Sequence, residues 1–141
     1  MFLKHKNFFK ITKKILNRKP TQNIERINLH ENTSDKDQLM IIWQKKNYCH
    51  KPKKFLDSHK VFFCLKGKLK IFILSNSGKI INSFILDDKE NNFCRIKKNV
   101  YSADMPLTKY ALHCEITNHS FVKRKIMYIN NRAYKNFKKK L

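Results

Sequence analysis

Between Asn47 and Gly67 the chain reads NYCHKPKKFLDSHKVFFCLKG. Two cysteines and two histidines (Cys49, His50, His59 and Cys64) precede or enter an apolar run that ends in glycine. Thiolates and imidazoles are zinc ligands, so the stretch poses the question of a metal site. Cysteine spacing argues against one. Cys49, Cys64, Cys94 and Cys114 are widely separated and none belongs to a CxxC pair. The N-terminus, MFLKHKNFFKITKKIL, carries lysines through its apolar residues, so it does not read as a secretory signal. Free thiols on strands, packed as small apolar groups, are therefore expected in place of disulfides.

Three further groups of residues could do chemistry. Arg26, Asn28 and His30 alternate, so on a strand they share one face. That face either lines a pocket or meets solvent at an edge. Lys51, Lys53, Lys54 and Lys60 crowd one segment and either bind an anion or form a solvated loop. His113 and Glu115 alternate with Leu112 and Cys114, so one pair faces inward. An inward Glu115 near Lys60 would be a buried ion pair, which is structural as often as catalytic.

The elements that must position these groups read mostly as strands. Residues 8–17, FFKITKKILN, read as an amphipathic helix with Phe8, Phe9, Ile11, Thr12, Ile15 and Leu16 on one face, ended by Pro20. From Gln38 onward the pattern is β. QLMIIW is one strand, and KVFFCLKGKLKIFIL breaks at Gly67 into two. In the second, Leu69, Ile71 and Ile73 face one way and Lys68, Lys70 and Phe72 the other. SNSG supplies a hairpin turn. KIINSFIL, FCRI, VYSA, YALHCEI and VKRKIMYI continue the series. AYKNFKKKL reads as a final helix with Tyr134, Phe137 and Leu141 in a stripe. Short strands at regular spacing predict a sandwich or barrel. The organisation expected is a basic helix over 1–22, a β-barrel over 23–130 and a basic helix over 131–141.

The chain has 141 residues, 41% hydrophobic and 12% aromatic, enough for one domain with one core. Its apolar runs are too short to span a bilayer. A net charge of +22 predicts attraction to polyanions. Yet only Arg18, Arg26, Arg95, Arg124 and Arg132 among the 32 basic residues are arginines. Phosphate recognition favours the guanidinium fork. The abundance of Lys, Asn, Ile and Phe also matches A/T-rich codons, so part of the charge can record genome composition.

The order of several pieces resembles the WbuC family, small cupin-fold proteins found among genes for O-antigen and related surface polysaccharides. The pieces are RINLH, Gln38, Tyr48, FFCLKGKL, the NSG turn and Glu115, over about Arg26 to Phe121. The resemblance implies a cupin-type double-stranded β-helix, a jelly-roll barrel, with helices at its ends. Such cupins hold a metal through a His-x-His pair, a glutamate and a later histidine. Here the pair aligns with KPKK, the glutamate with Lys60, and the last histidine with the vicinity of Tyr101 and Ser102. An ammonium has no lone pair for a metal. His50 and His59 lie near but lack the family's spacing, so a degenerate site without metal or other cofactor is expected.

The reading that follows is a cytoplasmic WbuC-like protein that binds an anionic sugar or nucleotide sugar. Arg26, Asn28, Lys60 and Glu115 would bind the ligand. If catalysis is retained, it would be a metal-independent sugar isomerase or epimerase, with His30 as base and Tyr101 as acid. A homodimer is left open. One alternative is non-specific binding of nucleic acid or anionic membrane, with sparse arginine speaking against sequence readout. Another is a decayed family member without catalysis.

Overall fold

The structure is a computed structural model that describes residues 17, 19 and 21–141. The expected N-terminal helix lies almost wholly outside the described residues. Ten strands follow: β1 (Ile24–Asn28), β2 (Gln38–Lys45), β3 (Lys53–Phe55), β4 (Lys60–Lys66), β5 (Lys68–Leu74), β6 (Ile80–Asp87), β7 (Phe93–Ile96), β8 (Tyr101–Pro106), β9 (Tyr110–Thr117) and β10 (Ile126–Tyr128). One helix, α1 (Asn131–Lys138), ends the chain. The strands make two five-stranded sheets, ordered β1-β2-β9-β4-β7 and β10-β3-β8-β5-β6. Every pairing is antiparallel. This is the expected double-sheet jelly roll.

The break between β4 and β5 has a local cause. Gly67 sits at φ +83°, and a Cβ there would come within 2.5 Å of Thr108 Oγ1 and 2.7 Å of the Tyr110 carbonyl oxygen. Only glycine satisfies both the positive φ and the close approach. Past it, Leu69 and Ile71 point between the sheets, fully buried with Phe62, Cys64, Leu86, Ile96 and Ala111, and Ile73 packs against that cluster. Phe72 and Leu74 point the other way, where Ile129, Ala133 and Phe137 cover them. The β5 alternation thus feeds two cores, one inside the barrel and one under α1.

The helix begins at Asn131, two residues ahead of the AYKNFKKKL stretch. Asn130 caps it, accepting a hydrogen bond from the Ala133 amide at 2.9 Å. Ala133 and Phe137 are its buried residues, whereas Leu141 is 45% exposed. Other boundaries also shift. The last strand is only Ile126–Tyr128, and the strand begun at Tyr101 runs on through Asp104 to Pro106. All four cysteines are free, with Cys49 in the connection after β2 and not on a strand. Burial pushes their thiols up, Cys49 to about 12 and the other three to about 11, so none is a ready nucleophile. Among the described residues no helix is long and apolar enough to cross a membrane.

Candidate functional site

A cavity of about 360 Å³ opens between the sheets, lined from β1, β2, β3, β8, β9 and β10. Its residues arrive there by strand parity. In β1, Arg26 and Asn28 face the cavity, and His30 follows on the same side. Ile27 and Leu29 pack instead against the Ile41–Trp43–Leu112 cluster on the other face of that sheet. In β9 the inward residues are His113 and Glu115, in β3 Lys53, and in β8 Asp104. Arg124, between β9 and β10, completes the charged lining.

The floor is a buried polar network. Gln44 is fully buried and its amide donates to the carbonyl oxygens of Tyr48 at 2.7 Å and Asp104 at 3.3 Å. Two acceptors fix that amide's orientation, so its oxygen faces His113 Nε2 at 3.1 Å. His113 must therefore donate through Nε2. Burial pushes His113 below its ordinary value, against the opposing pull of Asp104 and Glu115, which selects the neutral ring. His50 is also pushed down, first by burial, and its Nε2 lies 3.5 Å from the Arg26 guanidinium.

The carboxylates behave oppositely. Burial alone would raise both, but nearby positive charge prevails and both lie below the usual carboxylate range. Lys60 is the largest charge acting on Glu115, and His50, His113, Lys60 and Lys53 act on Asp104. Lys60 is itself 3% exposed and burial pushes its ammonium down. Its Nζ lies 5.2 Å from the Phe55 ring centroid and 5.0 Å from that of Phe62. The Arg124 guanidinium lies over two aromatic rings, 4.6 Å from the centroid of Phe55 and 5.0 Å from that of Phe121, and donates to Thr117 Oγ1 at 2.7 Å.

Of the residues singled out in the sequence, Arg26, Asn28, His30 and Glu115 come together around this cavity. Lys60 does not line it, although its side chain is inside the barrel beside Glu115. Tyr101 does not reach it. Tyr101 faces the α1 side of its sheet, packed with Phe72, Leu74 and Ile129, with Lys54 Nζ 4.7 Å from its ring. Strand parity explains this, because Asp104 faces the cavity and Tyr101 is an odd number of residues away. The expected His30–Tyr101 pair across the pocket is therefore not formed. His30 is in place and donates from Nδ1 to the Leu39 carbonyl at 3.1 Å.

The segment aligned with a His-x-His pair divides likewise. Lys53 faces the cavity, but Lys51 reaches α1, donating to Asn131 Oδ1 at 3.1 Å. His50 and His59 are not brought together. His59 lies in another groove, its Nδ1 3.4 Å from the Arg95 guanidinium. Among the described residues no three of His, Cys, Asp and Glu are grouped to hold a metal ion.

Sequence reasoning missed Asp104, Gln44, Arg124 and Phe121. Two signals were present. Asp104 is one of only ten acidic residues and directly follows the YSA of an expected strand. Arg124 is one of five arginines in a lysine-rich chain, and two of the five line this cavity.

No family model matches the chain, and no curated protein matches it in sequence. Solved structures do. The capsular polysaccharide assembling protein CapF from Staphylococcus aureus superposes with a TM-score of 0.67 at 10% identity, over 79% of this chain and 33% of that one. The oxalate decarboxylase of Lactobacillus farciminis, solved as a formate complex, gives 0.59 at 7% identity, over 79% and 32%. Procruciferin, the 11S globulin of Brassica napus, gives 0.60 at 10% identity, over 79% and 28%. The chain spans about a third of the length of these proteins. The likeness establishes the cupin fold.

Proposed function

We propose that this chain is a WbuC-like cupin that binds an anionic sugar or nucleotide sugar in the β1–β10 cavity and serves the assembly of surface polysaccharide without a bound metal. One observation carries the reading: Arg26, Lys53 and Arg124 line the cavity, while the carboxylate of Glu115 is matched from within by Lys60. Lys53 and Arg124 act on Glu115 as well, so Arg26, Lys53, Arg124 and Lys60 stand against Asp104 and Glu115, an excess of positive charge around a concave site. Lys53 and Lys60 occupy interior positions where the family resemblance would put metal ligands, and an ammonium cannot coordinate. The structural likeness to CapF, named for capsular polysaccharide assembly, supports the same setting. With Tyr101 outside the cavity, binding is better supported than epimerisation or isomerisation. His30, which lines the cavity, remains our candidate to exchange a proton with a ligand.

Calorimetry with UDP-glucose and glucose 1-phosphate tests this. Arg26→Ala removes a charged hydrogen bond of ~1.5–3 kcal/mol, about one to two decades of affinity. Equal affinities for wild type and variant would remove Arg26 from the site.

A second reading has its own observation. Arg95, Lys97, Lys98 and His59 line a separate surface groove. If polyanions bind there, affinity should fall steeply with salt by counterion release. A sequence-selective complex that survives high salt would contradict it.

A further inference from the structure

The cavity's rim carries aromatic surface that neither the core nor the charged lining explains. Phe121 and Tyr128 are 57% and 55% exposed, and both border the opening. Phe121 is not a free-standing ring. The Arg124 guanidinium lies 5.0 Å from its centroid and 4.6 Å from that of the buried Phe55. Arg124 therefore touches one aromatic ring in the interior and one at the mouth, and the Phe121 ring is open to solvent. An exposed aromatic ring backed by a guanidinium is a surface for another planar group.

Size and charge specify what would lie there. A volume of about 360 Å³ is near the low end for ligand pockets, room for a sugar ring and a phosphate but not for a whole nucleotide sugar. The remainder of such a ligand must emerge over the rim. Arg26, Lys53, Arg124 and the Lys60 behind them, set against Asp104 and Glu115, leave two formal positive charges. A pyrophosphate bridge carries two negative ones. A lone sugar carboxylate or a second neutral sugar would leave that charge unmatched.

Resting on the cavity reading above, we propose that Phe121, backed by Arg124, is the stacking platform for the nucleobase of a nucleotide sugar. The sugar enters the cavity and the pyrophosphate lies among Arg26, Lys53 and Arg124. Because every base offers a π face, the platform holds the nucleotide without selecting the base. Selection among ligands then falls to the sugar inside.

Calorimetry with UDP-glucose, GDP-glucose and glucose 1-phosphate on wild type, Phe121→Ala and Phe121→Tyr tests the proposal. Both nucleotide sugars should bind more tightly than the sugar phosphate. Phe121→Ala should weaken both by about five- to 150-fold and leave glucose 1-phosphate unchanged, with Phe121→Tyr restoring the affinity. Equal weakening of all three by Phe121→Ala would mean that the ring contacts the sugar, and the proposal fails. No weakening of the nucleotide sugars would also overturn it while leaving the cavity reading intact. If none of the three binds wild-type protein, the cavity reading itself fails with it.

Discussion

The two halves of the barrel interior are built from the same strands and follow opposite rules. Along β9 the inward residues change from Ala111 to His113, Glu115 and Thr117, all buried. Along β4 the order reverses, from Lys60 to Phe62 and Cys64. The seam lies where the His113 and Phe62 rings meet, 5.9 Å apart. On one side Leu69, Ile71, Leu86 and Ile96 fill the space without polar side chains. On the other, glutamines, a histidine, two carboxylates and a lysine are removed from water. The apolar half gains stability with every buried side chain. The polar half gains little, because desolvating a charge offsets most of what its partner returns. A close-packed apolar filling would have been more stable, which is why these groups make the cavity the candidate site.

The comparison is broken most forcefully at Glu115. Removing it leaves Lys60 inside the barrel without the charge that acts on it most closely. Glu115→Ala should cost ~3–5 kcal/mol in urea denaturation. Replacing both, as Lys60→Met with Glu115→Leu, should recover most of that loss, because apolar residues of similar volume substitute well for buried ion pairs. A single variant within about 1 kcal/mol of wild type would mean that the pair is solvated and that the halves do not differ as described.

Leu69→Ala tests the apolar half. The side chain has no exposed surface, so a cavity costing ~2–5 kcal/mol is expected. Ligand affinity should stay unchanged in the folded fraction. Loss of binding at full folding would show that the two halves are coupled.

Acidification should distinguish the halves without mutation. His113 and His50 lie below their ordinary value of 6.5 in the folded chain, burial being the first cause, with Asp104, Glu115, Lys53 and Arg26 among the charges acting on them. Below pH 6.5 the unfolded chain binds protons that the folded chain refuses, so stability falls as pH drops from there and levels off once the folded pKa is passed. Asp104 and Glu115 are also lowered, from 3.8 and 4.5, so their contribution is intact at neutral pH and is lost only below those values. Thermal melts from pH 8 to 5 should show the decline, and His113→Asn should flatten it. An unchanged slope in that variant would show that His113 is not the group responsible.

Much of the fold was legible because period-two alternation and Gly67 act locally. Leu69, Ile71 and Ile73 point inward as their spacing requires. The site was legible only in part, and the division follows physical lines. Arg26, Asn28 and His30 stand in one alternating run, so their shared face could be read directly. Tyr101 and Asp104 compete for the same strand, and their parity is set by a pairing with β5 more than twenty residues away. Gln44 acquires its role from a histidine 69 positions distant. The contacts of Arg124 with Phe55 and Phe121 join two remote segments, which no local pattern reports.

The smallest expected effect concerns Arg26 and folding, and it sharpens the contrast between wall and rim. Arg26 is exposed, and its guanidinium approaches His50 at 3.5 Å, the long limit of a hydrogen bond. Neither fact gives it much to contribute to the folded state. An exposed charge in high dielectric is worth little to stability. Arg26→Ala should therefore leave stability within about 0.5 kcal/mol of wild type. Removing the guanidinium takes a positive charge from beside His50, which pushes that ring's pKa down. The variant should thus hold His50 slightly closer to its ordinary value and soften the acid decline. Melting curves at pH 7.5 and 5.5 on both proteins measure the two effects together. A large loss at pH 7.5 would move Arg26 from the rim into the structural wall, and its effect on affinity could then no longer be taken as ligand contact.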